Sequence, residues 1–178
     1  MNDYASRSGG MNGWTRDRNG DLPYWHKREM TNIGFLAAAA WRLGGVTIQE
    51  FEVTRPQDKK GWGDLWIKLD QLGCHIEAKG ANPSSISREA VDDLIAEAET
   101  QFILPENEKA DIGVAACFVV PAVKQAFDFR GFARQFEGDH NLVAVYMPSR
   151  DLDTQYNGDD YPGLALIGKT VWSHITNK

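Results

Sequence analysis

Cysteine is scarce in this chain of 178 residues: only Cys74 and Cys117 occur, each in an apolar, strand-like run. Two thiols make no disulfide framework, and buried free thiols are the expectation, as suits a reducing cytoplasm. Neither cysteine has a metal-like spacing to the four histidines, which argues against zinc. No apolar run approaches the roughly 18 residues of a membrane-spanning helix. The polar, glycine-rich start carries no secretory signal, so no membrane partner is expected. A Gly-rich phosphate loop, a G-x-S-x-G elbow and a Cys/His dyad are also missing. Positive charge is short as well, with a net charge of −6, which at first sight disfavours nucleic acid. The deficit is local, however. Residues 84–111 carry eight acidic and two basic side chains, and the rest of the chain is close to neutral.

What the chain does have is the stretch GWGDLWIKLDQLGCHIEAKG at 61–80. Leu65, Ile67 and Leu69 alternate with polar neighbours in its first half, and Cys74, Ile76 and Ala78 in its second. Period-2 alternation is the signature of strands, and Asp70, Gln71 and Gly73 supply a turn between them. Pairing Leu69 with Cys74 sets Trp66 opposite Glu77 and Asp64 opposite Lys79. Asp64, Glu77 and Lys79 then converge on one face, away from the apolar residues. A slip of one residue would send the two polar sets to opposite faces.

Two carboxylates side by side repel, and each then favours its protonated form. A hard dication such as Mg²⁺ removes that conflict, because it takes oxygen ligands from one or two carboxylates. A lysine beside such an ion orients an attacking water and offsets charge in the transition state. The bland alternative is a surface hairpin with one cross-strand Asp–Lys pair, worth about 0.2–1 kcal/mol.

Around this stretch the chain reads as follows. Residues 1–22 form a flexible arm, with Arg7, Arg16 and Arg18 able to touch phosphate, ahead of one domain over 23–178. A helix runs from Pro23 or Trp25 to Leu43, buries Ile33, Leu36, Ala37, Ala40, Trp41 and Leu43, and stops at Gly44-Gly45. A strand covers 46–53, and 54–63 is a polar loop. In that loop Arg55, Lys59 and Lys60 lie ahead of Asp64 and suit a phosphate backbone, while Trp62 can stack on a base or sugar. A solvated connection with a packed Trp is the other reading. A helix capped at Ser84 or Ser87 runs to about Leu104, with Val91, Leu94, Ile95, Ala98 and Phe102 inward. A central strand over 112–120, a helix over 123–136 and strands at 142–147 and 164–168 complete the order. His75 reads as a packing residue of the hairpin and not as a general base. Residues 151–160 form an acidic loop, lacking the glutamate of a calcium loop.

Asp64, a short hairpin and Glu77-Ala78-Lys79 resemble the PD-(D/E)xK signature of restriction-endonuclease-like nucleases, with Gly63 in place of the proline. The order of a Glu-bearing helix, a strand, an Asp-strand and an E-x-K strand is similar to the Holliday-junction-resolvase-like branch. The likeness covers residues 23–147 and leaves the last part outside. It implies an α/β fold with a restriction-endonuclease-like core, a central mixed β-sheet flanked by helices. It implies further that Asp64 and Glu77 hold Mg²⁺ or Mn²⁺ with the Ala78 carbonyl as an added ligand. Lys79 would position and activate water, and Glu29 would complete the site through an outer-shell contact. For Glu29 a favourable acidic residue near a helix start is the competing reading. The implied function is metal-dependent hydrolysis of phosphodiester bonds in DNA, by a cytoplasmic homodimer or a subunit of a larger complex. A non-catalytic nucleic-acid-binding or assembly subunit on the same fold is the alternative.

Overall fold

The computed structural model describes residues 29–55, 59–81, 86–102, 110–122, 127–147, 155–156, 159–160 and 163–173. The arm expected at 1–22 and the helix start expected near Pro23 lie outside them. Helix α1 (Glu29–Arg42) buries Ile33, Ala37 and Ala40, whose spacing of three and four residues makes one stripe. It closes where Gly44 takes a φ of +84°, a left-handed conformation that glycine adopts freely. Trp41 and Leu43, expected on the stripe, are largely exposed. The chain itself fills the space beneath the last turn: a Cβ on Gly45 would meet Leu69 Cδ2 at 2.7 Å and Ala40 O at 3.0 Å.

Strands β1 (Val46–Arg55), β2 (Lys59–Leu69) and β3 (Leu72–Gly80) follow as an antiparallel meander. Helix α2 (Arg88–Glu99) then crosses over to β4 (Ile112–Val119), which runs parallel to β3. Ser87 caps α2, its hydroxyl oxygen accepting from Ala90 N at 3.1 Å. Helix α3 (Phe129–Arg134) and β5 (Leu142–Tyr146) come next, followed by a two-residue pair, β6 (Gln155–Tyr156) and β7 (Asp159–Asp160), and finally β8 (Leu164–Ser173). The main sheet has six strands in the order β1-β2-β3-β4-β8-β5 and is mixed. The protein is thus an α/β fold with helices on both faces of one sheet. Under α1 lie Leu65, Ile67, Ile76, Ala78, Val114 and Ala116. Under α2 and α3 lie Ala115, Cys117, Val119 and Ile167. β4 is covered on both faces, which is why its sequence is an almost unbroken apolar run.

Several expected boundaries move. Residues 54 and 55 extend β1, and 59–63 belong to β2, so the expected loop over 54–63 is mostly a hairpin. Cross-strand pairing to β1 holds these residues extended despite their polar composition. The last helix keeps one and a half turns, starting after the cap Asp128. β8 runs five residues beyond Gly168 to Ser173 and sits inside the sheet, between β4 and β5. Both cysteines are free; Cys117 is buried and Cys74 half-buried, and burial pushes their thiols up to about 12 and about 11. Among the described residues no helix is long and apolar enough to cross a membrane.

Candidate active site

The turn joining β2 to β3 is Asp70-Gln71, with Asp70 at a φ of +51°. A two-residue connection pairs Leu69 with Leu72, Ile67 with Cys74 and Leu65 with Ile76. The register therefore differs by two residues from the one expected with a longer turn, in which Leu69 met Cys74. A slip of two conserves the side-chain alternation. Glu77 and Lys79 still share a face of β3, and that face is the one packed by α2.

Beyond Leu65 the sheet divides. β3 stays paired with β4 as far as Gly80, whereas β2 stays paired with β1 as far as Lys59. Asp64 stands at the fork. Its Oδ2 accepts from Ala78 N at 2.8 Å, so a side chain takes up a backbone donor that the parting strand leaves behind. Ala78, expected as a carbonyl ligand, thus meets the carboxylate through its N–H. Opposite Asp64 on β1, Glu50 is missing from the ladder and has a φ of +49°, a strained value for a residue with a Cβ. Gly63 precedes Asp64 and cannot carry a side chain without movement. Its Cβ would lie 2.6 Å from Phe51 Cζ and 3.0 Å from His75 Nε2.

Glu77 is entirely buried, at 0% exposure. On this face of the hairpin Phe102, after α2, and Trp172 of β8 pack against His75. His75 Nε2 lies 2.9 Å from Glu77 Oε1. The imidazole, 1% exposed, is edge-on to the rings of Phe51, Phe102 and Trp172 at centroid distances of 5.0, 4.8 and 6.3 Å. This supports the reading of His75 as a packing residue and gives it a polar duty, that of holding the carboxylate.

Gln101 is the residue that sequence reasoning missed. With its amide nitrogen towards Glu77 and its amide oxygen towards Lys79, it donates to Glu77 Oε2 at 3.0 Å and accepts from Lys79 Nζ at 2.5 Å. The amide thereby ties the glutamate and the lysine of the E-x-K sequence together. A signal was available: Gln101 sits three residues past Ala98 and next to Phe102, a polar group on the flank of an apolar stripe. Lys79 also reaches Glu97 Oε1 at 3.7 Å.

Electrostatics tie Glu29 and Asp64 to the same place. The Asp64 carboxyl is pushed up from 3.8 to about 6, chiefly by burial, with the Glu77 and Glu29 charges adding to it. The Ala78 N–H and Lys79 oppose that rise. Glu29, at the start of α1, is raised mainly by burial, and then by Glu77 and Glu97, against Lys79 and a hydrogen bond from the Gly80 backbone. Glu29, Asp64, Glu77 and Lys79 thus act on one another although they come from three elements.

No protein-family model, no curated protein and no solved structure matches this chain. The chemistry of the site must be argued from its own atoms.

The donor set suits a hard cation: it is made of oxygens, and two of its carboxyls hold their protons more tightly than usual, a penalty that a dication would lift. Asn32, one turn beyond Glu29 on α1, is buried with its Oδ1 lacking a partner among the described residues. Among those same residues no three His, Cys, Asp or Glu side chains gather as a ligand group.

The four residues proposed for nucleic acid lie apart from this cluster. Lys60 and Trp62 are on β2 beyond the fork, Trp62 64% exposed and Lys60 paired with Glu52 at 2.7 Å. Arg55 and Lys59 are register partners at the far end of the β1–β2 hairpin.

Proposed function

We propose that the protein is a Mg²⁺- or Mn²⁺-dependent nuclease with a restriction-endonuclease-like core, hydrolysing phosphodiester bonds in DNA. The observation that carries this reading is the fork: a carboxylate with a raised pKa stands where two strands part, beside the glutamate and lysine of an E-x-K strand. Asp64 and Glu77 are the residues that would hold the ion, and Glu29 would act on it from the next shell. When bound, the cation supplies Lewis acidity to the scissile phosphate and acidifies a water. Lys79, 18% exposed and oriented by Gln101, keeps an ammonium where negative charge grows on the phosphate. Gln101 and His75 hold the Glu77 carboxylate in place. Asp64, the more accessible carboxylate, is the group whose proton a dication would displace.

The test is a cleavage panel of supercoiled, linear, branched and single-stranded DNA with Mg²⁺, Mn²⁺ or EDTA. Cleavage is expected with either ion and none with EDTA. Lys79→Ala is expected to lower turnover about a hundred- to a thousandfold while Mn²⁺ and DNA binding persist. Cleavage by Lys79→Ala at the wild-type rate would refute the assignment.

One observation favours a second reading, a non-catalytic nucleic-acid-binding or assembly subunit on the same fold. Glu77 is wholly buried and both its oxygens have protein partners, so the pair with His75 also makes sense as structure alone. DNA binding without metal uptake or cleavage selects that reading. Either way we propose assembly with a second copy through the exposed Trp41, Leu43, Val46 and Ile48, on α1 and the edge strand β1. Light scattering that finds a monomer at high concentration, with and without DNA, would refute it.

A further inference from the structure

Asn32 is polar and 2% exposed, in a helix whose other buried side chains are apolar. Its Oδ1 accepts no hydrogen bond among the described residues. A buried acceptor in that state costs stability, so packing alone gives no reason for it. Helix geometry places that oxygen. Side chains three residues apart lie one above the other, and each leans towards the helix start. Asn32 therefore leans over the turn that begins with Glu29.

Glu29 in turn is tied to the strand edge that β2 abandons. Beyond the fork Ala78 N donates to Asp64 Oδ2 at 2.8 Å. The Gly80 N–H, two residues on along the same edge of β3, bonds to the Glu29 carboxyl. Successive donors of one edge are thus taken by carboxylates from β2 and α1, and the Asn32 oxygen adjoins the second. Two donors for that oxygen compete: a protonated Glu29 carboxyl, and a water bound to a cation. Burial raises the Glu29 pKa, but Lys79 and the Gly80 N–H both favour its ionised form. An ionised Glu29 has no proton to give, and two neighbouring oxygens repel until a donor or a cation lies between them.

We infer that Asn32 Oδ1 accepts a hydrogen bond from a water of the dication proposed at Asp64 and Glu77, which makes Asn32 a positioning residue of that site. This rests on the nuclease reading for the ion, but it is measured by the binding of Mn²⁺ alone. Paramagnetic resonance of the free ion gives the Mn²⁺ affinity of wild type, Asp64→Asn, Asn32→Leu and Asn32→Asp, and melting without metal gives their stability. The wild type is expected to bind, and Asp64→Asn to lose most of that binding. Asn32→Leu keeps the branched shape and removes the unsatisfied acceptor. It is expected to melt about 2–4 °C higher without metal and to bind Mn²⁺ about tenfold more weakly. Asn32→Asp sets a charge in the same place. It is expected to melt lower without metal and to bind Mn²⁺ about tenfold more tightly. A merely structural asparagine does not produce these opposite shifts. Asn32→Leu binding Mn²⁺ as wild type overturns the inference, whatever its stability, and so does Asn32→Asp binding no more tightly than Asn32→Leu. No Mn²⁺ uptake by the wild type overturns it together with the nuclease reading. Cleavage assays separate the two claims. A wild type that takes up Mn²⁺ through Asp64 and Asn32 and cuts no DNA refutes the nuclease reading alone. One that cuts while both Asn32 variants bind Mn²⁺ as wild type refutes the role of Asn32 alone.

Discussion

The two strands that bring carboxylates to the site live in different surroundings. β3 keeps β4 beside it from Cys74 to Gly80, and Glu77 on it is fully buried and bonded to His75, which Phe102 and Trp172 pack against. β2 is inside only as far as Leu65, and Asp64 stands at the first position beyond, with an open ribbon continuing past it. One carboxylate is therefore fixed by folding. The other is left with an unmet demand, a raised pKa, which folding does not relieve. A site can in this way keep one rigid oxygen donor and one responsive one on neighbouring strands.

The sharpest way to break the contrast is to remove each carboxylate. Glu77→Ala leaves His75 and Gln101 without their acceptor inside the protein, and a loss of about 3 kcal/mol in unfolding free energy is expected, together with loss of cleavage. Urea unfolding checks this, and a cost within error of zero would mean that Glu77 is not a fixed element. Gly63→Ala comes next. The added methyl meets Phe51 and His75, and a cost of about 1–3 kcal/mol is expected from overpacking. A normal melting temperature for that variant would show that the fork is looser than its geometry.

The smallest effect is expected at Asp64, and it has the opposite sign. Its folded pKa of about 6 lies above the ordinary 3.8, so the native state holds the proton more tightly than the unfolded chain. Stability contributed by this group is full at pH below the ordinary value and declines as pH rises towards the folded one. Asp64→Asn keeps an acceptor for Ala78 N–H and loses that dependence. The variant is expected to melt slightly higher than wild type at neutral pH and at the same temperature at low pH. Added Mn²⁺ should raise the melting temperature of wild type and not of the variant. A variant less stable than wild type at neutral pH would show that the ionised carboxylate is welcome where it stands.

The face shared by Glu77 and Lys79 was legible because alternation survives a register change of two. The register itself was not, since Asp70-Gln71-Leu72-Gly73 looks like a longer turn until Asp70 is seen to adopt a positive φ. The far end of the β1–β2 hairpin was hidden for a different reason. Arg55, Pro56, Lys59, Lys60 and Gly61 have the composition of a loop, and only cross-strand partners hold most of them extended. The burial of His75, the partner of Glu77, draws on rings from Phe51, Phe102 and Trp172, the last of them ninety-seven residues along the chain; no local pattern announces such a contact. Gln101 was passed over because one polar group at the end of an amphipathic helix reads as solvated.

The position of β8 has a consequence for how the protein comes into being. Residues 164–173 emerge from the ribosome after every other strand of the sheet, yet they lie between β4 and β5. Until they arrive, β5 has no neighbour, the apolar edge of β4 is bare, and the wall that Trp172 gives His75 is absent. The meander and α2 can form early from local contacts, whereas closure must wait for the latest segment, at the cost of a long-range pairing step. An unfinished chain therefore has both residues of its E-x-K sequence while one of the rings that pack His75 is still missing.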